Sequence, residues 1–375
     1  MHVSYSVGFR DHLDTKPHQK MTPCMRTYII IIIFICQPTQ VQMYPTKISS
    51  KLIMLFLHAR THCVDCTNRQ HYHTYLPYAC THVFPCLLAC VFLPGVVDPA
   101  VFIAHGLHSH GGRWSKVAHH YTGKGYLVFA NDHVGHGLTA KALEGVKPGI
   151  MDDYRKMSDD FADLVEKMIE KEEDKTLPVF ILGHSMGSLV ATLAAETCLE
   201  RPTVAPRLTK LALSGCPIVP GPGSASPFGL RFLYPINRKP RLVRTLSGWL
   251  AKMDAGGPAA PIDQGSLSTD PEIAREAAVD PLMVKGSVRN KTAFEVIKLI
   301  QAAKESAGKV SIPTYLMHGA DDDIAYPSGS EEMKSLLASS SVVELQVYDG
   351  VRHEVLKHAD KFQGIVDGLD KYWGV

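Results

Sequence analysis

No glutamate occurs in the first 143 residues of this 375-residue chain; the first is Glu144. The opening hundred residues therefore do not read as an ordinary mixed domain, which draws on both acidic side chains for its exposed faces. Long apolar runs are scarce there too. "YIIIIIFIC" (28–36) follows Arg10, Lys16, Lys20 and Arg26, the charge order of a signal peptide or anchor. It is too short to span a bilayer, and no small-residue cleavage site follows it. The expected location is accordingly cytoplasmic or peripheral to a membrane rather than secreted. A strong charge of one sign is also missing: 39 Lys and Arg against 37 Asp and Glu give a net +2. That balance provides no global field for nucleic acid, and no nucleic-acid partner is expected.

What the opening stretch does hold is seven of the nine cysteines and eight histidines. Cys63 and Cys66 form a CxxC with His71 and His73 nearby, but Cys80, Cys86 and Cys90 do not supply the second pair of a zinc knuckle. Residues 1–95 can be read as a zinc site, an oxidised disulfide framework or a poorly ordered extension. The composition favours the last, packing little against residues 96–375.

From residue 96 onward, short β-branched runs alternate with helical stretches. "AVFIAHG" (100–106), "YLVFAND" (126–132), "PVFILGHS" (178–185), "TKLALSG" (209–215), "IPTYLMHG" (312–319) and "VVELQVYDG" (342–350) are continuous apolar runs ending in polar residues or glycine. Such runs suit a parallel sheet buried on both faces. Between them, residues 154–173 place Met157, Phe161, Leu164, Val165 and Met168 on one helical face, and residues 188–200 read as a buried helix. The alternation predicts a doubly wound α/β domain with its ligand site beyond the carboxyl ends of the strands. Residues 216–308 interrupt the pattern and read as a cap laid over that edge.

"HGLHSHGGRW" (105–114) brings His105, His108 and His110 close together in sequence, as a metal site would. The Asp and further His that a binuclear metal site needs are replaced by Gly111 and Gly112. Another chemistry fits better. "GHSMG" (183–187) joins an apolar strand to an Ala-rich helix, the setting in which GxSxG exposes a nucleophilic serine on a strained turn. Ser185 then needs a base and an acid further along the chain. "HGADDDIAYP" (318–327) ends one strand with three aspartates, and "YDGVRHEVLKH" (348–358) ends the last with His353. The oxyanion needs two backbone N–H groups, expected from Met186 and from Leu107 in the histidine-rich loop. The three histidines therefore belong to an oxyanion loop, with His110 as a hydrogen-bonded support. No cofactor or metal is expected.

"HGLHSHGGRW", "NDHVGHGLT", "GHSMGS", "HGADDDIA" and "GVRHEVL", in that order, resemble the monoacylglycerol lipase branch of the α/β-hydrolases, the serine aminopeptidase S33-like group. The cap segment "LSTDPEIAREAAVDPLMVKG" (267–286) is similar to that family too, and the resemblance covers about residues 98–373. It implies an α/β-hydrolase fold: a mostly parallel central sheet, helices on both faces and a helical cap insertion. It selects Asp322 as the acid, with Asp321 as runner-up, and puts Ser109 and Arg113 at the substrate head group. It implies a serine hydrolase acting on acylglycerol esters, most simply monoacylglycerols. Esterase, lysophospholipase or acyltransferase action on the same triad is the alternative, and a silent lipid-binding protein is the alternative of another class.

Two departures stand out. Family members often carry an acidic residue where Ser109 stands. They also build antiparallel strands ahead of "AVFIAHG", for which residues 51–59 and 83–93 are imperfect candidates. In the cap, residues 228–253 hold six Lys and Arg and no acid, with Leu242, Val243, Leu246, Trp249, Leu250 and Met253 on one helical face. That face either packs down on the sheet to line an acyl tunnel or dips into an anionic lipid surface.

Overall fold

The computed structural model describes residues 99–375 except 144, 173, 222–239, 261 and 263–266; before residue 99 it describes two strands. These are β1 (Ile29–Cys36) and β2 (Cys86–Leu93). There follow β3 (Ala100–Ala104), α1 (Ser115–Gly123), β4 (Leu127–Asn131), α2 (Gly137–Ala142), α3 (Tyr154–Ile169), β5 (Val179–His184), α4 (Met186–Leu199) and β6 (Leu208–Ser214). The chain then runs through α5 (Pro240–Met253), β7 (Pro258–Ala260), α6 (Pro271–Val279), β8 (Val288–Arg289) and α7 (Asn290–Ala307). It closes with β9 (Thr314–Gly319), α8 (Pro327–Leu336), β10 (Val343–Tyr348) and α9 (Phe362–Trp373).

The main sheet has the order β1-β2-β4-β3-β5-β6-β9-β10. Its six strands from β4 to β10 pair in parallel, and β2 runs antiparallel to β4. Alternation along β3 shows how both faces are covered. Phe102 packs with α3, α4 and α7, while Val101 and Ile103 pack on the opposite side with α1 and α9. Every residue of β3 is buried, and each large apolar side chain so placed contributes roughly 1.5–3 kcal/mol. The sheet thus provides a rigid floor whose carboxyl edge is one line of strand ends. Register places Ala104 beside Gly183, His184 beside Ser214 and Tyr348 beside Gly319.

Two differences from the sequence reading concern the borders of the domain. The antiparallel edge strands that the sequence did not offer convincingly are β1 and β2, the second of them inside the prolines-and-cysteines stretch 83–93. Residues 51–59 and the cysteine and histidine side chains of the first 98 residues lie outside the described residues. Of the stretch 216–308 read as cap, the last helix packs with the main core. Leu299, Ile300, Ala303 and Ala307 of α7 join the main core against α4, so α7 is the crossover from β6 to β9. An amphipathic helix over a sheet and one in a cap carry the same sequence pattern, which is why the border was placed too late. No described helix is long and apolar enough to cross a membrane.

Candidate active site

Ser185 stands between β5 and α4 with φ 53 and ψ −125, a left-handed conformation that a side chain adopts only under constraint. The constraint is steric. A Cβ on Gly187 would meet the Ala104 carbonyl oxygen at 2.1 Å, and one on Gly183 would meet the Gly187 oxygen at 2.4 Å. Both flanking positions must be glycine for strand and helix to approach this closely.

The serine hydroxyl lies 2.8 Å from His353 Nε2, and His353 Nδ1 lies 2.7 Å from Asp322 Oδ2. Asp322 Oδ1 accepts from Ile324 N–H at 2.9 Å and Ala325 N–H at 3.0 Å. Burial alone would push this carboxyl up, but the neighbouring His353 and the hydrogen bonds from His318 and His353 hold it well below the usual carboxylate range. An ionised Asp322 requires the proton of His353 on Nδ1, which leaves Nε2 free to accept from Ser185. Asp321, by contrast, is exposed.

His318 is a member of this network that sequence reasoning missed. Its Nε2 lies 3.0 Å from Asp322 Oδ2 and 2.9 Å from the Ala325 oxygen, and its Nδ1 lies 2.6 Å from Ser330 Oγ. The Nε2–H donates toward the Ala325 oxygen and the carboxylate, and the bond between Nδ1 and Ser330 holds the ring in place. Its place in "HGADDD" at a strand end was the available signal.

The histidine-rich loop folds back toward the serine: a Cβ on Gly106 would stand 3.1 Å from Ser185 Cβ. A turn closes with Ser109 N–H donating to the Gly106 oxygen at 3.2 Å, and this bond does not use the N–H of Leu107. Met186 is the first residue of α4, where N–H groups have no intrahelical acceptor. The histidines act as struts. His105 Nε2 accepts from His133 N–H at 3.0 Å and its Nδ1 lies 2.8 Å from the Gly106 oxygen. Burial, with His133 and His136 beside it, keeps His105 neutral by lowering its pKa well below the ordinary value. His110 Nε2 lies 2.7 Å from Asp280 Oδ2, tying the loop to the cap, and Val284 N–H donates to the His108 oxygen at 3.0 Å. Asp132, also unremarked in the sequence, accepts from Gly111 N–H and Leu138 N–H, each at 2.7 Å.

Ser109 is buried, and its hydroxyl has no hydrogen-bond partner among the described residues. Arg113 is engaged elsewhere: its Nη2 lies 3.2 Å from Glu354 Oε2, while Lys357 Nζ lies 2.9 Å from Glu354 Oε1. An acid thus stands near Arg113 after all, delivered by the residue following His353 rather than by position 109. Burial opposes ionisation of Glu354, but Lys357 and Arg113 hold its carboxyl at about 2; burial pulls Lys357 down to about 8 despite Glu354.

The signs of the two linkages differ. The stability contributed by Glu354 is present above its unfolded value of 4.5 and is lost as pH falls toward about 2. The penalty for burying the Lys357 ammonium persists below pH 8 and fades as pH rises toward 10.5. Glu354→Gln should leave two buried cations without a counter-charge and cost about 3–5 kcal/mol at pH 7. Urea unfolding checks this, and the variant should also lose stability less steeply than the parent between pH 4.5 and 2.

Comparison with known proteins agrees with this architecture. Residues 95–360 match the family described as serine aminopeptidase, S33. The chain is 30% identical over 267 residues to a monoacylglycerol lipase of Mycolicibacterium smegmatis, covering 70% of this chain and 85% of that one. It is 28% identical over 269 residues to a caffeoylshikimate esterase of Arabidopsis thaliana, covering 71% and 74%. A soluble variant of monoglyceride lipase from Saccharomyces cerevisiae, solved with a substrate analog, superposes with a TM-score of 0.61 at 23% identity, covering 80% of this chain and 95% of that one. The chain therefore belongs to the serine aminopeptidase S33 family, in its monoacylglycerol lipase-like α/β-hydrolase branch, and is a serine ester hydrolase.

Proposed function

We propose that the protein cleaves monoacylglycerols to a fatty acid and glycerol through Ser185, His353 and Asp322. The observation that carries this reading is the continuous Ser185–His353–Asp322 chain, at 2.8 and 2.7 Å, on a serine held in the left-handed region. Ser185 Oγ attacks the ester carbonyl while His353 Nε2 takes its proton. The N–H groups of Leu107 and Met186 receive the developing oxyanion. The proton on Nε2 then passes to the departing glycerol oxygen, leaving an acyl-Ser185. Water, activated by the same nitrogen, releases the fatty acid and restores the serine. Asp322 stays ionised throughout and stabilises the imidazolium. Ser109, buried on the oxyanion loop with a free hydroxyl, is the head-group contact in this reading; Arg113 shapes that wall through Glu354.

The relatives include both a monoacylglycerol lipase and a caffeoylshikimate esterase, so the leaving group is the point to test. Hydrolysis of a panel of monoacylglycerols, diacylglycerols, lysophospholipids and aryl esters should show the highest kcat/KM on monoacylglycerol. A preference for lysophospholipid or aryl esters would transfer the chemistry to the alternative esterase reading.

The cap is the proposed contact with the lipid surface. On α5, Leu246, Trp249, Leu250 and Met253 are exposed, Trp249 at 56% and Met253 at 66%, whereas Ser247 and Ala251 are buried. Gly248 of the same helix approaches Phe294 of α7. The apolar row faces away from α7, which supports adsorption rather than an acyl tunnel for these four side chains. Arg241 and Arg244 are exposed beside them, while Arg238 and Lys239 lie outside the described residues. Each cation near an anionic surface contributes roughly 1 kcal/mol or less, screened by salt. Changing Arg238, Lys239, Arg241 and Arg244 to Ser should weaken sedimentation with anionic vesicles at least tenfold at low salt and leave turnover of a short soluble ester within about twofold. Loss of soluble-ester turnover with vesicle binding retained would make the stretch a wall of the active site instead.

A further inference from the structure

His318, next to last in β9, is wholly buried, yet the proton transfers assigned to Ser185 and His353 give it no task. Its Nε2 lies 2.9 Å from the Ala325 oxygen and 3.0 Å from Asp322 Oδ2. A carbonyl and a carboxylate only accept, so Nε2 carries a proton whichever state Nδ1 is in. We propose, on the triad reading, that His318 is a positioning residue for the reaction: its Nε2–H pins Oδ2 of Asp322 opposite His353 while the catalytic imidazole gains and loses its proton.

A buried carboxylate must have its acceptor positions filled by the protein, because water does not reach them. Asp322 Oδ1 takes the Ile324 and Ala325 N–H groups, and Oδ2 takes His353 at 2.7 Å beside His318. Ala325 closes the arrangement, since its N–H reaches Oδ1 while its oxygen receives His318. The turn that carries these groups is itself held by the chain leaving β6. Ala325 bridges antiparallel to Pro220, Gly221 N–H donates to the Ile324 oxygen at 2.9 Å, and Tyr326 N–H donates to the Val219 oxygen at 2.9 Å.

At the far end of the ring, Nδ1 lies 2.6 Å from Ser330 Oγ on α8, so the imidazole cannot turn without losing contacts at both nitrogens. The carboxylate is therefore anchored at Oδ1 by backbone and at Oδ2 by one side chain outside the triad. Without His318, Oδ2 would be held by its bond to His353 alone. That bond must keep its geometry through both charge states of the imidazole, which is where a second, unchanging donor matters.

The test compares two amides on the full chain. His318→Gln places an N–H near the Nε2 position, whereas the shorter side chain of His318→Asn cannot reach Oδ2. On a soluble ester, His318→Asn should lower kcat about 10- to 100-fold, the loss expected for a hydrogen bond to a charged group, with KM within about twofold. His318→Met, which removes the donor and fills the space, should lose as much, and His318→Gln should return to within about fivefold of the parent. Ser330→Ala, which frees the other end of the ring, should cost kcat about threefold and add little in the His318→Asn background. The low-field proton resonance of the His353–Asp322 bond should persist in His318→Gln and broaden through exchange in His318→Asn. Thermal unfolding identifies the folded variants. Turnover within twofold of the parent in a folded variant lacking the donor, or a loss in His318→Gln as large as in His318→Asn, would overturn the proposal. A parent whose turnover survives Ser185→Ala would instead defeat the triad reading.

Discussion

Ser185→Ala is expected to lower kcat on every ester by about 10⁴- to 10⁶-fold while the protein remains folded. Alanine keeps the Cβ and therefore the strain of φ 53, so the elbow and the packing of Gly183 and Gly187 are undisturbed. Only the oxygen that attacks the carbonyl is lost. Substrate should still bind, because the loops and cap that surround it do not depend on the hydroxyl. A companion change separates strain from chemistry. Ser185→Gly is equally inactive but relieves the left-handed backbone, and should raise stability by about 1 kcal/mol relative to Ser185→Ala. Steady-state kinetics and urea unfolding of the two variants together check both halves. Residual turnover within tenfold of the parent would remove Ser185 from the reaction.

Asp322→Asn should cost about 10⁴-fold in kcat, and Asp321→Asn no more than about twofold. The reason lies in what each oxygen of Asp322 receives. Oδ1 takes two backbone N–H bonds and Oδ2 faces the N–H groups of both His353 and His318. An asparagine can turn its amide nitrogen only toward the histidines, where it donates. His353 must then accept at Nδ1 and carry its proton on Nε2, so it can no longer take one from Ser185. The shape of the site survives while the tautomer is wrong. Asp321, exposed on the adjacent turn, makes no such demand. Equal losses in the two variants would mean that the acid acts through general charge and not through its bond to His353.

The parts of this molecule that were legible in the sequence are those fixed by short-range patterns. Strand ends announce themselves because a buried apolar run must stop at glycine or a polar residue when it leaves the sheet, as at Gly183, Gly215 and Gly319. Ser185, Asp322 and His353 all follow such ends, so their convergence is readable from chain order. What could not be read is pairing across long separations. Glu354 looks like a surface acid until Arg113, 241 positions earlier in the chain, is brought against it. His110 gives no hint that its partner is Asp280 on the cap. The resemblance puts Arg113 at the head group, and the pairing of its guanidinium with Glu354 is what the sequence did not announce. The border of the cap was misread for a related reason: α7 is amphipathic whether it covers a sheet or a substrate, and only its contact with α4 decides. Strand β2 was obscured by Pro85, Pro94 and three nearby cysteines, which weaken any strand pattern.

The central claim is that Ser185 is a nucleophile primed by His353, and covalent labelling reads it most directly. The full-length protein incubated with a fluorophosphonate probe, digested and analysed by mass spectrometry, should carry one phosphonyl group, on the peptide containing "GHSMG" and on Ser185. Asp322→Asn should label far more slowly. An unlabelled Ser185 in folded protein would contradict the account and leave the fold as that of a silent lipid binder, and equal labelling after Asp322→Asn would contradict the priming of His353 by Asp322.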